Sequence, residues 1–527
     1  MIKTTQRTVL FRIASITLLL VALATVATAQ PAFRLVMVAD HFADGSTAAA
    51  LSGDTESIDL VGSGLIDGVE PSQIPVHWWH TFGEPLWYYR LLPLIEGGDE
   101  GSAFDLVNFT DAIPDNEMIF GYSTEASGAK RATGWRLVGG VAFPDVLPSF
   151  PGGGESVALG AHSPHEGNPH EYIAAGWAEG PLGSRKAVAW IFTGGEWGLL
   201  GLPDLGGGLE STCNDIMIDG ADTEIFVGCG WVENAEGNRL PSIYSMPDGG
   251  GDPLLHLLPL LEGGANGEAT SLKPGGQIGD EIVACGWSEI VGGDQHAARW
   301  RSTDGGQTWN VHDLGMLPGY SNSAACGLTQ WPGGSFIVGE SGPPTSAGEA
   351  TLWLRDEGEP PTIQNLNDLV VGPNSLTLRT ANSVVVDGPQ TIIAGEGVGV
   401  IPGAEQRRGT PHAYVLVQLD PSEVGDQAWV TTLERSRLIG ATPNPFIATT
   451  AVSFDLPFTA FVHLSVLDVL GRTITTLTDG YWEAGRHSVS WNGKEDSGKA
   501  VSTGICFLRL ECDGIVETRK IIRKSER

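Results

Sequence analysis

The sequence predicts an all-β fold built from one repeated unit and followed by a smaller all-β domain. Glycine supplies 72 of the 527 residues while apolar types still reach 41%, so turns are frequent and a core can form. Almost no run carries a helical apolar period, and one pattern recurs about every 55 residues. Four strands per unit, with each unit covering its faces against its neighbours, predict a seven-bladed β-propeller over residues 30–430. A string of β-sandwiches or a β-solenoid remains the alternative, although sandwich units are usually longer and solenoid coils shorter.

Each unit carries three anchors in the same phase. The first is an apolar strand end with a glycine, and its copies recur at a nearly constant spacing: Gly121, Gly176, Gly230, Gly286, Gly339 and Gly395. The second is an aromatic residue near the close of an alternating run: Trp78, Trp135, Trp190, Tyr244, Trp300 and Trp353. The third is a leucine-containing run, mostly with proline, at 91–94, 146–148, 201–205, 257–260 and 313–317. Weaker copies at 33–79 and 365–419 bring the predicted count to seven.

Residues 1–29 have the pattern of a signal peptide. Lys3, Arg7 and Arg12 give a positive start, residues 13–24 are apolar, and residues 27–29 form a small-x-small cleavage site. The alternative is an uncleaved anchor helix, which the short apolar stretch disfavours. We therefore expect export into the periplasm and a secreted or cell-surface location, where disulfides are chemically permitted.

Acidic residues dominate the repeated region. Without the three leader cations, 27 basic residues face 63 acidic ones, so nucleic acid is an improbable partner. Residues 30–435 hold 16 Lys and Arg against 53 Asp and Glu, whereas residues 436–527 hold 11 against 10. This abrupt change predicts a domain boundary, with a linker at 431–442 and a second domain at 443–527.

One segment matches the Asp-box pattern S-x-D-x-G-x-T-W without a mismatch. Its key residues are Ser302, Asp304, Gly306 and Trp309. The aspartate can cap backbone amides of a tight hairpin turn, the glycine takes a positive φ, and the tryptophan covers the hairpin. Sialidases share this pattern, but their activity needs a cluster of arginines, for which residues 30–435 offer no obvious recurrence. The pattern therefore predicts a structural turn.

The units at residues 33–420 resemble the HAF-repeat family of bacterial extracellular proteins. The family repeat carries Leu-Gly, Val-Gly and His-Ala-Phe, and the last of these appears as residues 412–414 and 296–298 in altered form. The resemblance implies an extracellular location and no known activity.

The segment 443–527 predicts a small immunoglobulin-like sandwich. Alternating runs such as 462–466 are separated by the hairpin signals Asp-Gly at 479–480, Asn-Gly at 492–493 and Asp-Gly at 513–514. The segment resembles the C-terminal sorting domain of type IX secretion and, equally, the immunoglobulin-like domain of flagellar hook-capping proteins. The matching residues are Asn444, Pro445, Phe446, Gly471, Arg472, Gly485, Trp491 and Gly504. The cleavable leader favours the sorting domain, which implies type IX secretion machinery as a partner and attachment at the outer surface of the outer membrane.

Two pairs of cysteines allow different expectations. The midpoint between Cys213 and Cys229 falls inside the turn at 219–222, so a symmetrical hairpin places them opposite each other. We hypothesise a disulfide between them, with two free buried thiols as the alternative. Cys506 and Cys512 lie six residues apart on one strand, roughly 20 Å along its length, and cannot bridge each other.

Three further features are candidates for ligand or metal binding. Trp177, Trp231 and Trp287 share one repeat phase, and they either stack on sugar rings as ligand-facing aromatics or cover the contacts between units. Histidines are densest at 162–170, where a loop is favoured over a metal site because Pro169 breaks any helix. The acidic turn at 219–224 could hold calcium, but it lacks an EF-hand spacing, and no cofactor is otherwise expected.

These observations predict a secreted or surface-displayed binding or scaffolding module with an unidentified glycan or protein ligand. The alternative is an extracellular glycan hydrolase or lyase that uses acidic residues on the propeller's loop face. No catalytic residue follows from the sequence, because 53 acidic side chains in residues 30–435 make any chosen pair uninformative.

Overall fold

The computed structural model describes most of the chain between residues 32 and 524. The described ranges are 32–37, 46–53, 57–65, 73–81, 88–107, 117–162, 172–206, 209–218, 226–246, 251–274, 281–331, 334–343, 348–356, 360–371, 376–387, 390–399, 411–419, 437–456, 460–468, 471–482, 485–495, 498–512 and 515–524. Within these ranges, no helix has both the length and the apolar character needed to cross a membrane. The predicted leader, residues 1–29, lies outside them.

The described residues up to 419 form seven antiparallel sheets of four strands each, and this confirms the prediction of repeated all-β units. Sheets 1 to 3 consist of β2 Ser46–Gly53, β3 Ser57–Leu65, β4 Gln73–Thr81 and β5 Tyr88–Leu91; β6 Gly101–Val107, β7 Met118–Thr124, β8 Lys130–Val138 and β9 Val141–Val146; and β10 Ser156–His162, β11 Tyr172–Glu179, β12 Arg185–Thr193 and β13 Glu196–Gly201. Sheets 4 to 6 consist of β14 Ser211–Ile218, β15 Phe226–Glu233, β16 Arg239–Ser245 and β17 Leu254–Leu257; β18 Gly267–Pro274, β19 Ile282–Glu289, β20 Gln295–Ser302 and β21 Asn310–Gly315; and β22 Asn322–Trp331, β23 Gly334–Gly342, β24 Glu349–Asp356 and β25 Thr362–Asn365. Sheet 7 consists of β26 Leu376–Asp387, β27 Gln390–Gly399, β28 Pro411–Gln418 and β1 Phe33–Met37, and one short helix, α1 Leu366–Leu369, precedes it.

The first strands of successive sheets pack against one another, and the first strand of sheet 7 packs against that of sheet 1. The first strands therefore surround a centre, and the fourth strands lie at the outer edge of each sheet. Serine hydroxyls join neighbouring sheets: Ser156 Oγ accepts from the amide of Ala132 at 3.0 Å, and Ser46 Oγ accepts from Ala413 at 3.1 Å. The second of these bonds joins sheet 7 to sheet 1. This arrangement is that of a β-propeller.

The N-terminal strand belongs to the last sheet rather than to the first. Residues 33–37 pair antiparallel with β28, with Phe33 opposite Gln418. The prediction that residues 33–79 form the first unit is therefore wrong for residues 33–37, which belong to sheet 7. Phe33 is fully buried in the core of sheets 6 and 7. This pairing joins the beginning of the repeated region to its end.

The anchor glycines are required by the close approach of two strands. At Gly176 a Cβ atom would lie 2.0 Å from the carbonyl oxygen of Val157, and at Gly286 it would lie 2.0 Å from that of Glu268. Both carbonyls belong to the first strand of the same sheet, two residues before the bulged residue. Any side chain at these positions would clash with backbone, and this explains why the glycine recurs once per unit.

The anchor aromatics are buried, and most of them reach back to the preceding third anchor. Trp190 is fully buried, and its Nε1 donates to the carbonyl of Pro148 at 2.7 Å. Trp135 and Trp300 make the same bond to Pro93 and Pro259, each at 2.7 Å. Each of these three tryptophans therefore fixes the connection between two sheets, whereas the Tyr244 hydroxyl donates to the carbonyls of Thr212 and Trp231.

The chain from residue 437 forms two further sheets over one shared core. Sheet 8 contains β29 Arg437–Thr442, β30 Thr450–Leu456 and β33 Gly485–Trp491, and sheet 9 contains β31 Ala460–Leu467, β32 Thr473–Trp482, β34 Gly504–Cys512 and β35 Ile515–Arg523. Leu438, Phe454, Val466 and Leu508 are buried together between the sheets. Because residues 437–442 form a strand paired with β30, the predicted linker at 431–442 is corrected: this unit begins no later than Arg437.

Candidate functional site

Every first strand of sheets 1 to 7 carries a β-bulge at the same position. The bulged residues are half-buried and follow one another at the repeat length: Ala49, Phe104, Leu159, Asn214, Thr270, Cys326 and Asn382. A bulge re-aims the side chains around it. Because the first strands surround the centre, these bulges set which side chains face it.

Hydrogen bonds connect the bulges from one sheet to the next. Asn214 Nδ2 donates to the carbonyl of Ala269 at 2.9 Å, and Thr270 Oγ1 donates to that of Ala325 at 2.9 Å. Asn382 Nδ2 donates to the carbonyl of Ala48 at 2.6 Å. The polar bulge residues therefore satisfy backbone carbonyls that no strand pairing can reach.

Two aspartates follow bulges and make equivalent contacts. Asp105 accepts from the amide of Leu106 through Oδ1 at 2.9 Å and from Ala161 of sheet 3 through Oδ2 at 2.8 Å. Asp215 accepts from Ile216 at 2.8 Å through Oδ1 and from Leu272 of sheet 5 at 3.0 Å through Oδ2. The two carboxylates therefore join successive sheets and also bring negative charge to the centre.

Asp105, His162, Asp215 and Lys273 form a group of interacting charges that we call the centre cluster. Burial and then the Asp215 carboxylate raise the pKa of Asp105 to about 7. The charge of the Asp215 carboxylate, aided by that of Asp105, raises the pKa of Lys273. Burial and then Lys273 lower the pKa of His162 to about 4, so this imidazole is neutral at pH 7. Four successive sheets thus bring together a carboxyl group with a pKa of about 7, a carboxylate, a neutral imidazole and an ammonium group in the centre cluster.

Two further acidic residues, Glu340 and Glu396, directly follow anchor glycines. Burial raises the pKa of Glu340. Burial also raises the pKa of Glu396 to about 7; a hydrogen bond from Asn382 lowers this pKa, and the charge of Glu340 raises it. Burial also raises the pKa of Glu268, which accepts from Asn214 Nδ2 at 2.8 Å. Glu340 and Glu396 therefore form an acidic pair in which the Glu340 charge further raises the pKa of Glu396.

Trp177 and Trp231 do not offer an open ring face to a sugar. Both are buried, at 8% and 5% exposure, and the guanidinium of Arg185 lies 4.5 Å from the ring centre of Trp177. Arg239 lies 4.3 Å from the ring centre of Trp231. The interpretation as ligand-facing aromatics is corrected for these two residues, since packing and cation–π contacts occupy their faces. Trp287 is half-buried and hydrogen-bonded to Glu268.

The Asp-box residues form the turn between β20 and β21. Asp304 accepts from the amide of Thr308 through Oδ1 at 2.9 Å and from its hydroxyl through Oδ2 at 2.6 Å, and Thr308 holds the pKa of Asp304 at about 2. Ser302 Oγ accepts from the amide of Gly306, whose φ is 83°, at 2.8 Å. Trp309 Nε1 donates to the Gly306 carbonyl at 2.9 Å. These contacts are turn contacts and leave the aspartate committed to the backbone.

The hypothesised disulfide between Cys213 and Cys229 is wrong for this structure, which holds both as free, buried thiols. The pairing of β14 with β15 is centred at position 222 rather than 221, because Ile218 lies opposite Phe226; Cys229 therefore lies opposite Asp215, and Cys213, beyond the bulge at Asn214, lies opposite Gly230. Cys506 and Cys512 are also free and buried, as expected from their spacing along one strand.

The residues that carry the sorting-domain resemblance hold the C-terminal unit together. Asn444 accepts from the amide of Ile522 at 2.9 Å, and Phe446 exchanges backbone hydrogen bonds with the last strand. The Phe446 ring packs on Trp491 with 5.1 Å between ring centres. Pro445 lies between Asn444 and Phe446, and Gly485 and Gly504 are the first residues of β33 and β34. Arg472 pairs with Asp468 at 2.7 Å beside Gly471, whose φ is 80°.

Other predicted features fall outside the described residues. These are the possible calcium turn at 219–224 and two of the three clustered histidines, His165 and His170. His162, the third, ends the first strand of sheet 3 and belongs to the centre cluster. Sequence reasoning missed Asp105, Asp215 and Lys273. Asp105 and Asp215 lie two repeat lengths apart, so aligning the units on their bulges would have placed both in one phase.

Comparison with known proteins gives likeness in fold only. No family model matches the chain, and no curated protein matches it. Among solved structures, a protein of unknown function from Dyadobacter fermentans is 13% identical, with coverage of 74% of this chain and 100% of that one and a TM-score of 0.40. The β-propeller domain of the Trilobed protease from Pyrococcus furiosus is 11% identical, with coverage of 71% and 95% and a TM-score of 0.38. Trypanosoma rangeli sialidase in complex with sialic acid is 10% identical, with coverage of 93% and 86% and a TM-score of 0.37.

Proposed function

We propose that this chain is a secreted or cell-surface binding module: a seven-bladed propeller, similar to HAF-repeat proteins, exported through a C-terminal immunoglobulin-like sorting domain. The seven four-stranded sheets, the contact of the last with the first and the pairing of β1 with β28 support seven blades in a closed ring. The two sheets over one core, joined by Asn444, Phe446 and Trp491, support the immunoglobulin-like domain. The type IX machinery is its partner during export, and the outer surface of the outer membrane is its destination.

The centre cluster is the observation that carries the binding role. Asp105 and Asp215 serve the fold, because their oxygens accept backbone amides from the next sheet. Lys273 is exposed at the end of its strand while the Asp215 carboxylate keeps it charged. An ammonium beside carboxylates and a neutral imidazole offers donors and acceptors to a polar ligand entering the centre, such as the hydroxyl groups of a glycan.

A glycan array with the purified chain tests this proposal. We expect binding without release of new reducing ends, and Lys273→Met should weaken that binding at least tenfold, with a melting curve to check that the variant is folded. Lys186→Met is the matched control, because Lys186 pairs with Asp204 away from the centre cluster. Equal binding by wild type and Lys273→Met would exclude the centre cluster as the binding site.

A second candidate, an extracellular glycan hydrolase, is favoured by the acidic pair Glu340 and Glu396. A carboxyl with a pKa of about 7 beside another carboxyl supplies the acid and base that glycoside cleavage needs. The same array distinguishes the two: reducing-end release that disappears in Glu396→Gln supports the hydrolase. Binding without release supports the module.

A further inference from the structure

We propose that the contact between sheets 1 and 2 contains a site for a divalent transition metal of the zinc class, away from the centre cluster. His77 and Glu117 supply the ligand atoms, and Asp59 orients the imidazole. These three side chains form a group whose candidate ligand atoms all lie within 4.8 Å of one another.

The strand register brings the three groups together. Asp59 lies on β3 opposite Trp79, and His77 lies on β4 opposite Val61, so both side chains leave the same face of sheet 1. Val61 packs into the core shared with sheet 2, and this identifies the face that points toward sheet 2. Glu117 directly precedes Met118, the first residue of β7 in sheet 2. The group therefore bridges two sheets.

The hydrogen bond to Asp59 determines which nitrogen of His77 is free. Nε2 lies 2.9 Å from Asp59 Oδ1, and since a carboxylate only accepts, Nε2 carries the proton. In the neutral imidazole Nδ1 then presents a lone pair. This atom has no hydrogen-bond partner among the described residues, and the His77 side chain is only 1% exposed. A buried polar nitrogen in this state is costly unless something binds it.

The nearest carboxylate oxygen faces that lone pair. Glu117 Oε2 lies 3.8 Å from His77 Nδ1, too far for a hydrogen bond and close enough for two acceptors to repel each other. A cation between them removes the repulsion. Two ligands bound at about 2.0–2.1 Å to a tetrahedral Zn²⁺ lie roughly 3.4 Å apart, so a shift of a few tenths of an ångström brings these two atoms to the spacing of zinc ligands, and water would fill the other two positions. The Glu117 side chain is 27% exposed, which gives an ion a path from solvent.

The surrounding charges leave a net attraction for a cation. Arg90 lies opposite His77 on the neighbouring strand, and its guanidinium stacks on Trp79 with 4.5 Å to the ring centre. Two carboxylates and one guanidinium therefore surround His77, for a net negative charge of one. Imidazole and carboxylate together suit Zn²⁺, and a carboxylate that holds the far nitrogen of a metal-bound histidine is a common arrangement. Ca²⁺ prefers oxygen ligands alone and should not compete.

Titration calorimetry of the purified chain with Zn²⁺, after removal of metal by a chelator, tests the site. We expect one equivalent to bind, Glu117→Gln to weaken binding at least about tenfold, and Asp59→Asn to weaken it about 10- to 100-fold. Ca²⁺ should give no binding at this site. Glu117→Gln is the decisive variant, because its partly exposed side chain can be changed without disturbing the core, and a melting curve checks that it folds.

His296→Gln is the matched control. His296 also pairs with one carboxylate, at 2.8 Å from Asp313, on the surface of sheet 5. Its substitution should leave Zn²⁺ binding unchanged. Either of two results overturns the proposal: a wild-type chain that takes up no Zn²⁺, or a Glu117→Gln chain that binds Zn²⁺ as tightly as wild type.

Discussion

The side chain of Asn382 donates a 2.6 Å hydrogen bond to the backbone carbonyl of Ala48, although the two residues lie 334 positions apart. Asn382 is the bulged residue in the first strand of sheet 7, and Ala48 is buried in the first strand of sheet 1. Asn214 makes the same bond to the carbonyl of Ala269, which lies only one unit further along the chain. The contact that joins the ends of the repeated region is therefore of the same kind as the contacts within it.

Asn382→Ala should lower the free energy of unfolding by about 1–2 kcal/mol, because the Ala48 carbonyl loses its donor while it stays buried. Urea unfolding followed by tryptophan fluorescence measures this. Asn214→Ala is the matched variant, and in a closed ring the two substitutions cost similar amounts. A normal stability for Asn382→Ala together with a loss for Asn214→Ala would mean that sheets 7 and 1 are not joined in solution.

Trp190→Phe should cost about 1–3 kcal/mol of unfolding free energy. The substitution keeps an aromatic ring but leaves the Pro148 carbonyl without the Nε1 donor that lies 2.7 Å from it. Trp197→Phe is the control, because its Nε1 has no hydrogen-bond partner within the described part of the chain. Similar losses for both variants, measured by urea unfolding, would contradict a stabilising role for the bond to Pro148.

The repeated fold could be predicted from the sequence because its anchors are fixed by strong steric and polar requirements. Gly176 lies too close to one backbone carbonyl to carry a side chain, and Trp190 donates a hydrogen bond to another, so each of these residue types recurs once per unit. The strand at residues 33–37 carries neither anchor, and its partner β28 lies at the opposite end of the repeated region, so its place in sheet 7 could not be seen.

The candidate sites were harder to predict because they form between sheets. His77 faces Glu117 of the neighbouring sheet, and Asp105 interacts with Lys273 only because the first strands of all the sheets surround one centre. The predicted disulfide failed because the pairing of β14 with β15 is centred at position 222 rather than 221, so Cys229 lies opposite Asp215 and not opposite Cys213. A period in the sequence identifies a phase, but not the bulges that decide which side chains meet.

Asp105 should make the chain less stable as the pH rises from about 4 to 7. Its folded pKa of about 7 lies above that of an unfolded aspartate, so the folded chain holds a proton that the unfolded chain has already released. This contribution is fully present below about pH 4 and is lost as the pH passes 7. The free energy of unfolding of wild type relative to Asp105→Asn should therefore fall across this range and stay constant above it.

Asp304→Asn gives the opposite sign and serves as the comparison. Because Thr308 holds the pKa of Asp304 at about 2, its stabilising contribution is present above about pH 4 and is lost as the pH falls through 2. The difference between wild type and this variant should thus be constant from pH 4 to 8. Urea unfolding at intervals of half a pH unit separates the two cases. If the difference in unfolding free energy between wild type and Asp105→Asn did not change with pH, a protonated Asp105 would be ruled out.

Removal of residues 437–527 should leave the chain in the periplasm of a type IX-secreting host. The deletion begins at Arg437 because β29 is part of sheet 8, and a cut at residue 443 would leave this strand without its partner β30. Immunoblots of cell fractions, with protease digestion of intact cells, measure the location, and a melting curve of the periplasmic product shows whether it is folded. The control is His463→Gln, which removes only the exposed 3.0 Å pair with Asp479 and should be displayed normally. Surface display of a folded chain that lacks this segment would mean that the C-terminal unit does not direct export.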